Sequence, residues 1–375
     1  MLPVELRLER RLEPPRWLGP SMPLVAVAAA LVIGGIILLI SGREPVDIFR
    51  RMFQAAFTNP GALSATLIAA TPLLLTGLAA AVAFRMRVWN IGADGQLMIA
   101  AVLAAAAGTA LGERSLALTL PAMLVAGAAG GVLWAIIPAL LRAYLNTSEV
   151  LTTLMLNYVA PLILIYLIFD STSYWRDLST PSSRVFPQAK TLAESDFWPD
   201  YGDGIAIPFG LIVGVILAVI LTVLLRSTRF GFKIKVAADS EAAGHYAGIR
   251  TARLLVVVML ISGAIAGIAG ASQVGDFSHR LEPKQLQFAA FGYTGIAVAA
   301  LARYHPLGVI LSAILVGGMT NAGFALQGVD LPLGLIGLIQ GLILLLVAAS
   351  EVSARYRVVL ERRSRLRGGV PTASP

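Results

Sequence analysis

RSTRFGFKIKVAADSEAAGHYAGIRTAR, residues Arg226 to Arg253, is a polar, basic stretch between two long apolar runs, Pro208–Leu225 and Leu254–Ser272. Such a segment joins two membrane spans on the side where Lys and Arg collect. Its centre, Asp239 to Ile249, has the composition of a short helix. Ser240 suits an N-cap, Glu241 with Ala242 and Ala243 suits a first turn, and Gly248 suits a stop. We read it as a docking element on the cytoplasmic face, pushed by a soluble motor, with the rest of the chain turning the push into a gated path.

Working outward, the composition bounds the class. The chain has 375 residues, is 57% hydrophobic and only 13% charged, and has mean hydropathy +0.79. A soluble domain carries about 25% charged residues. Several apolar runs reach the ~20 residues that cross a bilayer. The runs are continuous rather than alternating, which excludes a β-barrel reading. The 36 glycines fit close helix packing in lipid. Without cysteine there is no disulfide framework and no thiol chemistry. The net charge of +8 lies in short segments beside apolar spans, a topology signal and not a nucleic-acid footprint.

The expected fold is an all-α polytopic membrane protein of about ten spans with both termini cytoplasmic. Residues 1–22 form a cytoplasmic lead, 23–350 a single transmembrane domain and 351–375 a basic tail. The polar stretch 170–207, rich in aromatics and prolines, reads as an external loop, and 226–253 as a cytoplasmic one. With this topology, twenty of the 29 Lys and Arg fall on the cytoplasmic side. Met1–Ser21 is too long and too acidic for the lead of a cleavable signal, so Pro23–Ser41 is expected to be a retained first span. Phe288–Ala302 is short for a span and is left as a half-helix or a tilted one. The Gly-rich breaks at Asn90–Gln96 and Phe291–Ile296 stand at corresponding span starts, as discontinuous helices near a transport site do.

No phosphate loop is present, so ATP hydrolysis is not expected in this chain. His245, His279 and His305 lie far apart, and no metal site is expected. Asp94 and Glu149 stand at span starts, where a carboxylate favours a helix N-terminus. The spans otherwise carry neutral polar groups. That points to hydrogen-bonding cargo moved by an outside energy source and against an ion-coupled carrier, which keeps an ionisable residue at mid-membrane. Interhelical hydrogen bonding accounts for many of these groups. The pathway candidates are Asn90, Gln96, Asn157, Tyr158 and Asn321; a mid-span Asn is costly unless paired or wetted.

Four elements together resemble a family. VWNIGADGQLMIAA (Val88–Ala101), SEVLTTLMLNYVA (Ser148–Ala160), the opening stretch, and FGYTGIAVAALARYHPLGVILSAIL (Phe291–Leu315) resemble the permeases of ABC importers for ribose-like sugars and nucleosides, in order across about Leu63–Ala349. The second and fourth are closest to the nucleoside branch; a simple sugar such as ribose is the alternative cargo. The resemblance implies a subunit that is not an enzyme and holds no cofactor, with ATP and Mg on a separate double-cassette ATPase. It also implies a second, paralogous permease, an extracytoplasmic binding protein or lipoprotein, and a bacterial inner membrane; no nucleic-acid partner is implied. Carried onto this chain, the coupling helix is Asp239, Ser240, Glu241, Ala242, Ala243, Tyr246, Ala247 and Gly248. Asp94 departs from the family's usual Glu, and Asp239-Ser240 from its usual Gly/Glu-Asn.

Overall fold

The computed structural model describes residues 4–10, 18–112, 114–170, 172–202, 204–326, 337–339, 341–343, 345–346, 349–350 and 356–362. In chain order come β1 (Val4–Arg10), α1 (Leu18–Ile40), α2 (Pro45–Phe53), α3 (Ala62–Arg85), α4 (Ala93–Leu111), α5 (Leu116–Leu145) and α6 (Glu149–Ile165). A loop region follows with α7 (Pro181–Val185), β2 (Asp200–Tyr201) and β3 (Ile207–Pro208). Then come α8 (Phe209–Ser227), α9 (Arg229–Asp239), α10 (Glu241–Tyr246), α11 (Thr251–Ser272), α12 (Pro283–Ala289), α13 (Phe291–Leu301), α14 (Pro306–Leu326) and β4 (Tyr356–Arg362).

Seven helical segments among the described residues are long and apolar enough to cross a membrane: those built on α3, α4, α5, α6, α8, α11 and α14. Helix α3 is the hub. Of its apolar window 83% is buried, against 33% for those of α5, α6 and α8, which therefore form the periphery. A small-residue seam between α5 and α11 sets a very close approach. Gly127 and Gly131 of α5 face Gly263 and Gly267 of α11, and a Cβ on Gly131 would stand 2.0 Å from the Gly263 carbonyl oxygen. Glycine lets the backbones meet, and dispersion contacts between them replace the hydrophobic drive that lipid removes.

Most expected spans appear, with shifted limits. Phe288–Ala302 resolves into the 11-residue α13, about 16 Å long at 1.5 Å per residue, half a hydrocarbon core. It takes the half-helix form. Helix α4 begins at Ala93 and not at Leu97, so Gln96 lies inside its first turn. The span expected at Leu331–Ala349 falls largely outside the described residues. β1 pairs antiparallel with β4, Val4 opposite Arg362, which brings the two ends of the chain together. The sequence reading had left both segments without structure.

The expected external loop is ordered over one end of the bundle. Trp175 Nε1 donates to the Val102 carbonyl at 2.9 Å, Leu192 N–H donates to the His279 carbonyl at 2.8 Å, and Trp198 packs edge-on against Phe209. Helices α9 and α10 lie at the opposite end.

Candidate functional site: a central node, an aromatic face and an exposed short helix

Two helix starts meet inside the bundle. After α3 ends, the chain turns at Arg87, whose φ is +58°, and runs as the non-helical segment Val88–Ile91 up to the start of α4. From the other side α12 ends at Ala289, the chain turns at Ala290, φ +47°, and α13 begins. The N-termini of α4 and α13 abut: Gly292 N–H donates to Asp94 Oδ1 at 2.6 Å. A Cβ on Gly292 would fall 2.3 Å from the Asp94 nitrogen, so glycine is required for the approach. Each helix start carries partial positive charge. One carboxylate, 4% exposed, thus serves both. Thr76 Oγ1 of α3 donates to the Phe291 carbonyl at 3.0 Å and ties the junction to the hub.

Neutral amides complete the node. Asn90 and Gln96 donate to each other's carbonyl oxygens at 3.0 Å, and Asn90 Nδ2 also donates to Ser262 Oγ at 2.8 Å. Ser262 Oγ donates in turn to the Ala79 carbonyl at 2.7 Å. Asn157, midway along α6, accepts from Gly95 N–H at 2.9 Å and donates to the Ile91 carbonyl at 2.8 Å and to Tyr293 Oη at 3.1 Å. These contacts satisfy polar groups that would each cost about 1–3 kcal/mol if buried alone.

The five pathway candidates therefore separate. Asn90 and Gln96 are fully enclosed and mutually paired, while Asn157 stands between the node and the surface. Tyr158, the next residue, is 64% exposed on the outer face of α6. Asn321 is not brought to the others. It lies near the end of α14, donating to the carbonyls of Ala55 and Ala62 at 3.0 and 3.2 Å, and pins the turn before α3. The sequence reading missed Asp94 as a bridge, and missed Tyr293 and Gly292. The paired glycine breaks were the signal available.

At the other end, α10 is capped as the sequence indicates. Ser240 Oγ accepts from Ala243 N–H at 3.2 Å, and Gly248 closes the helix at φ +72°. Ala242, Ala243, Ala247 and Gly248 are exposed, as is Glu241, and Tyr246 is 97% exposed; Gly244 and Ile249 face inward. Asp239 belongs to α9 and pairs with Arg87 at 3.7 Å. A polar cleft of about 410 Å³ lies beside α10, lined by Arg87, Arg142, Glu149 and Glu241 among others. Arg142 pairs with Glu149 at 3.2 Å across it.

Residues 62–348 match the family model described as branched-chain amino acid transport system / permease component. The chain belongs to that family. It is a multi-pass membrane protein of the permease type, a transport component. The glucose ABC transporter permease protein TsgB13 of Haloferax volcanii is 31% identical over 95% of this chain and 94% of its own. The guanosine ABC transporter permease protein NupP of Bacillus subtilis is 32% identical over 88% of this chain and 93% of its own. The nucleoside ABC transporter permease protein NupB of Lactococcus lactis is 28% identical over 80% and 85%. The resemblance drawn from four sequence elements holds across most of the chain.

Proposed function

We propose that this chain is a membrane permease subunit of an ATP-driven importer of nucleosides. The observation that carries the ATP-driven reading is α10, a capped short helix held between two spans with its small side chains and Tyr246 turned outward. That surface suits a cleft on a separate ATPase, which supplies ATP and Mg. Nucleoside cargo is supported by the similarity to two nucleoside-type permeases along most of the chain. A sugar is the second reading, favoured by the similarity to a glucose permease over 95% of the chain.

In this reading the α10 end is cytoplasmic, and the loop region that holds α7 faces outward, towards a substrate-binding protein or lipoprotein. The helices alternate between these ends. Counting Val88–Leu111 as one traverse and α12–α13 as another gives nine crossings among the described residues, α1 included, and the span expected at Leu331–Ala349 would be the tenth, in a bacterial inner membrane. A second permease completes the path. The paired β1 and β4 are consistent with both termini on one side. Coupling residues are Ser240, Glu241, Ala242, Ala243, Tyr246, Ala247 and Gly248, with Asp239 at the preceding corner.

The test is uptake by vesicles holding the assembled transporter with its binding protein and ATP. Guanosine, adenosine or uridine should accumulate, and ribose and glucose should not. Uptake of glucose or ribose alone transfers the assignment to the sugar reading. Accumulation driven by an ion gradient without ATP removes the ABC reading.

A further inference from the structure

We propose that Tyr158 of α6 and Tyr293 of α13, with Asn157 behind them, form a mid-depth subsite that contacts the planar base of the cargo. This rests on the nucleoside reading above. The argument begins with depth. Asn157 lies midway along α6, and its amide touches the starts of both α4 and α13, at Gly95 and at Tyr293. Tyr293 stands in the first turn of α13, directly after Phe291 and Gly292, which bond Thr76 and Asp94 of the node. Yet both tyrosines turn outward, Tyr158 64% and Tyr293 41% exposed.

A phenol facing hydrocarbon at that depth leaves its hydroxyl without a partner, which is why membrane tyrosines favour the interface. The outer faces of α8 and α6 differ in this respect. α8 exposes Val215, Ile216, Val219, Ile220 and Val223, aliphatic throughout, as lipid requires. The exposed face of α6 is Leu151, Met155, Tyr158, Val159 and Leu162, with a hydroxyl at its middle. Tyr293 Oη accepts from Asn157 Nδ2, so its own hydrogen is left to donate outward. An aromatic ring beside a hydroxyl donor matches a nucleobase, which offers a π-face and acceptor edges. A sugar offers hydroxyls and no π-face.

The chain contains no cysteine, so one reporter thiol is easily followed. Met155→Cys and Leu162→Cys, one turn to either side of Tyr158, are placed in the assembled transporter and treated with a small water-soluble thiol reagent. Labelling needs the thiolate and hence water. Both reporters should label about tenfold faster than Val219→Cys on α8. Guanosine should slow the labelling about fivefold, and ribose should not. Adding Tyr158→Ala should abolish that protection, while Tyr158→Phe should keep it. Labelling no faster than at Val219→Cys, equal protection by ribose, or protection that survives Tyr158→Ala together with Tyr293→Ala overturns the subsite. Uptake is measured on the same vesicles. Failure to import any nucleoside overturns the transport reading; import without protection overturns the subsite alone.

Discussion

Asp94 shows what one residue does in two places. Along the chain it is an acidic residue in the first turn of α4. In space it also accepts from Gly292, 198 residues away. Asp94→Ala would leave that N–H buried without an acceptor, at about 1–3 kcal/mol. Asp94→Asn keeps a carbonyl oxygen and should cost less. Thermal unfolding of the two variants in detergent checks the order, and equal loss would remove the bridge. His305 offers a pH handle at the α10 end. It contacts Arg226, and burial first, then the charges of Arg226 and Arg85, hold its pKa below the usual histidine value. The folded state thus prefers the neutral ring. Its contribution is complete above the unfolded value near ~6.5 and is lost as pH falls through the lower folded value. Stability should decline more steeply below pH ~6.5 in the parent than in His305→Asn, read as the melting temperature against pH. Only the helix-start role of Asp94 was legible beforehand, because capping is local and the Gly292 contact is not.

α10 is the element most fully written in the sequence. Its N-cap, first turn and glycine stop lie within nine residues, and each acts on its neighbours through the backbone. Ser240→Ala should cost about 1 kcal/mol of local helix stability, seen as faster amide exchange confined to α10. Ala243→Arg or Gly248→Glu should lower uptake about tenfold or more while ATP hydrolysis and membrane insertion persist, the scale of one lost anchoring contact. Normal uptake in both would sink the docking role. α13 was less legible. Its composition matches a span, and only its length, 11 residues, marks it as half of one. The sequence left that choice open, since periodicity does not say where a neighbouring N-terminus will stop a helix.

At the scale of the whole molecule, the bundle depends on the α5–α11 seam. Gly131→Leu would drive a side chain into the Gly263 carbonyl, which a Cβ alone would already approach to 2.0 Å. Separating the helices forfeits dispersion along the entire contact. The variant should fail to yield a monodisperse protein in detergent, whereas Gly112→Ala, at an open position outside the helices, should yield one with only the smaller strain of a positive φ. A monodisperse, parent-like Gly131→Leu would show that the seam is not required. The composition and the order of apolar runs determined the class, the succession of spans and the capped short helix α10, because transfer from water to lipid and helix capping act through residues close in the chain. Tertiary structure alone decided that Asp94 joins two helix starts, that Asn90 and Gln96 close on each other, that Asn321 lies apart, and that Tyr158 and Tyr293 both stay exposed. Those outcomes depend on which backbones approach closely enough to exchange hydrogen bonds, and that is settled only when glycine seams far apart in the sequence come into contact.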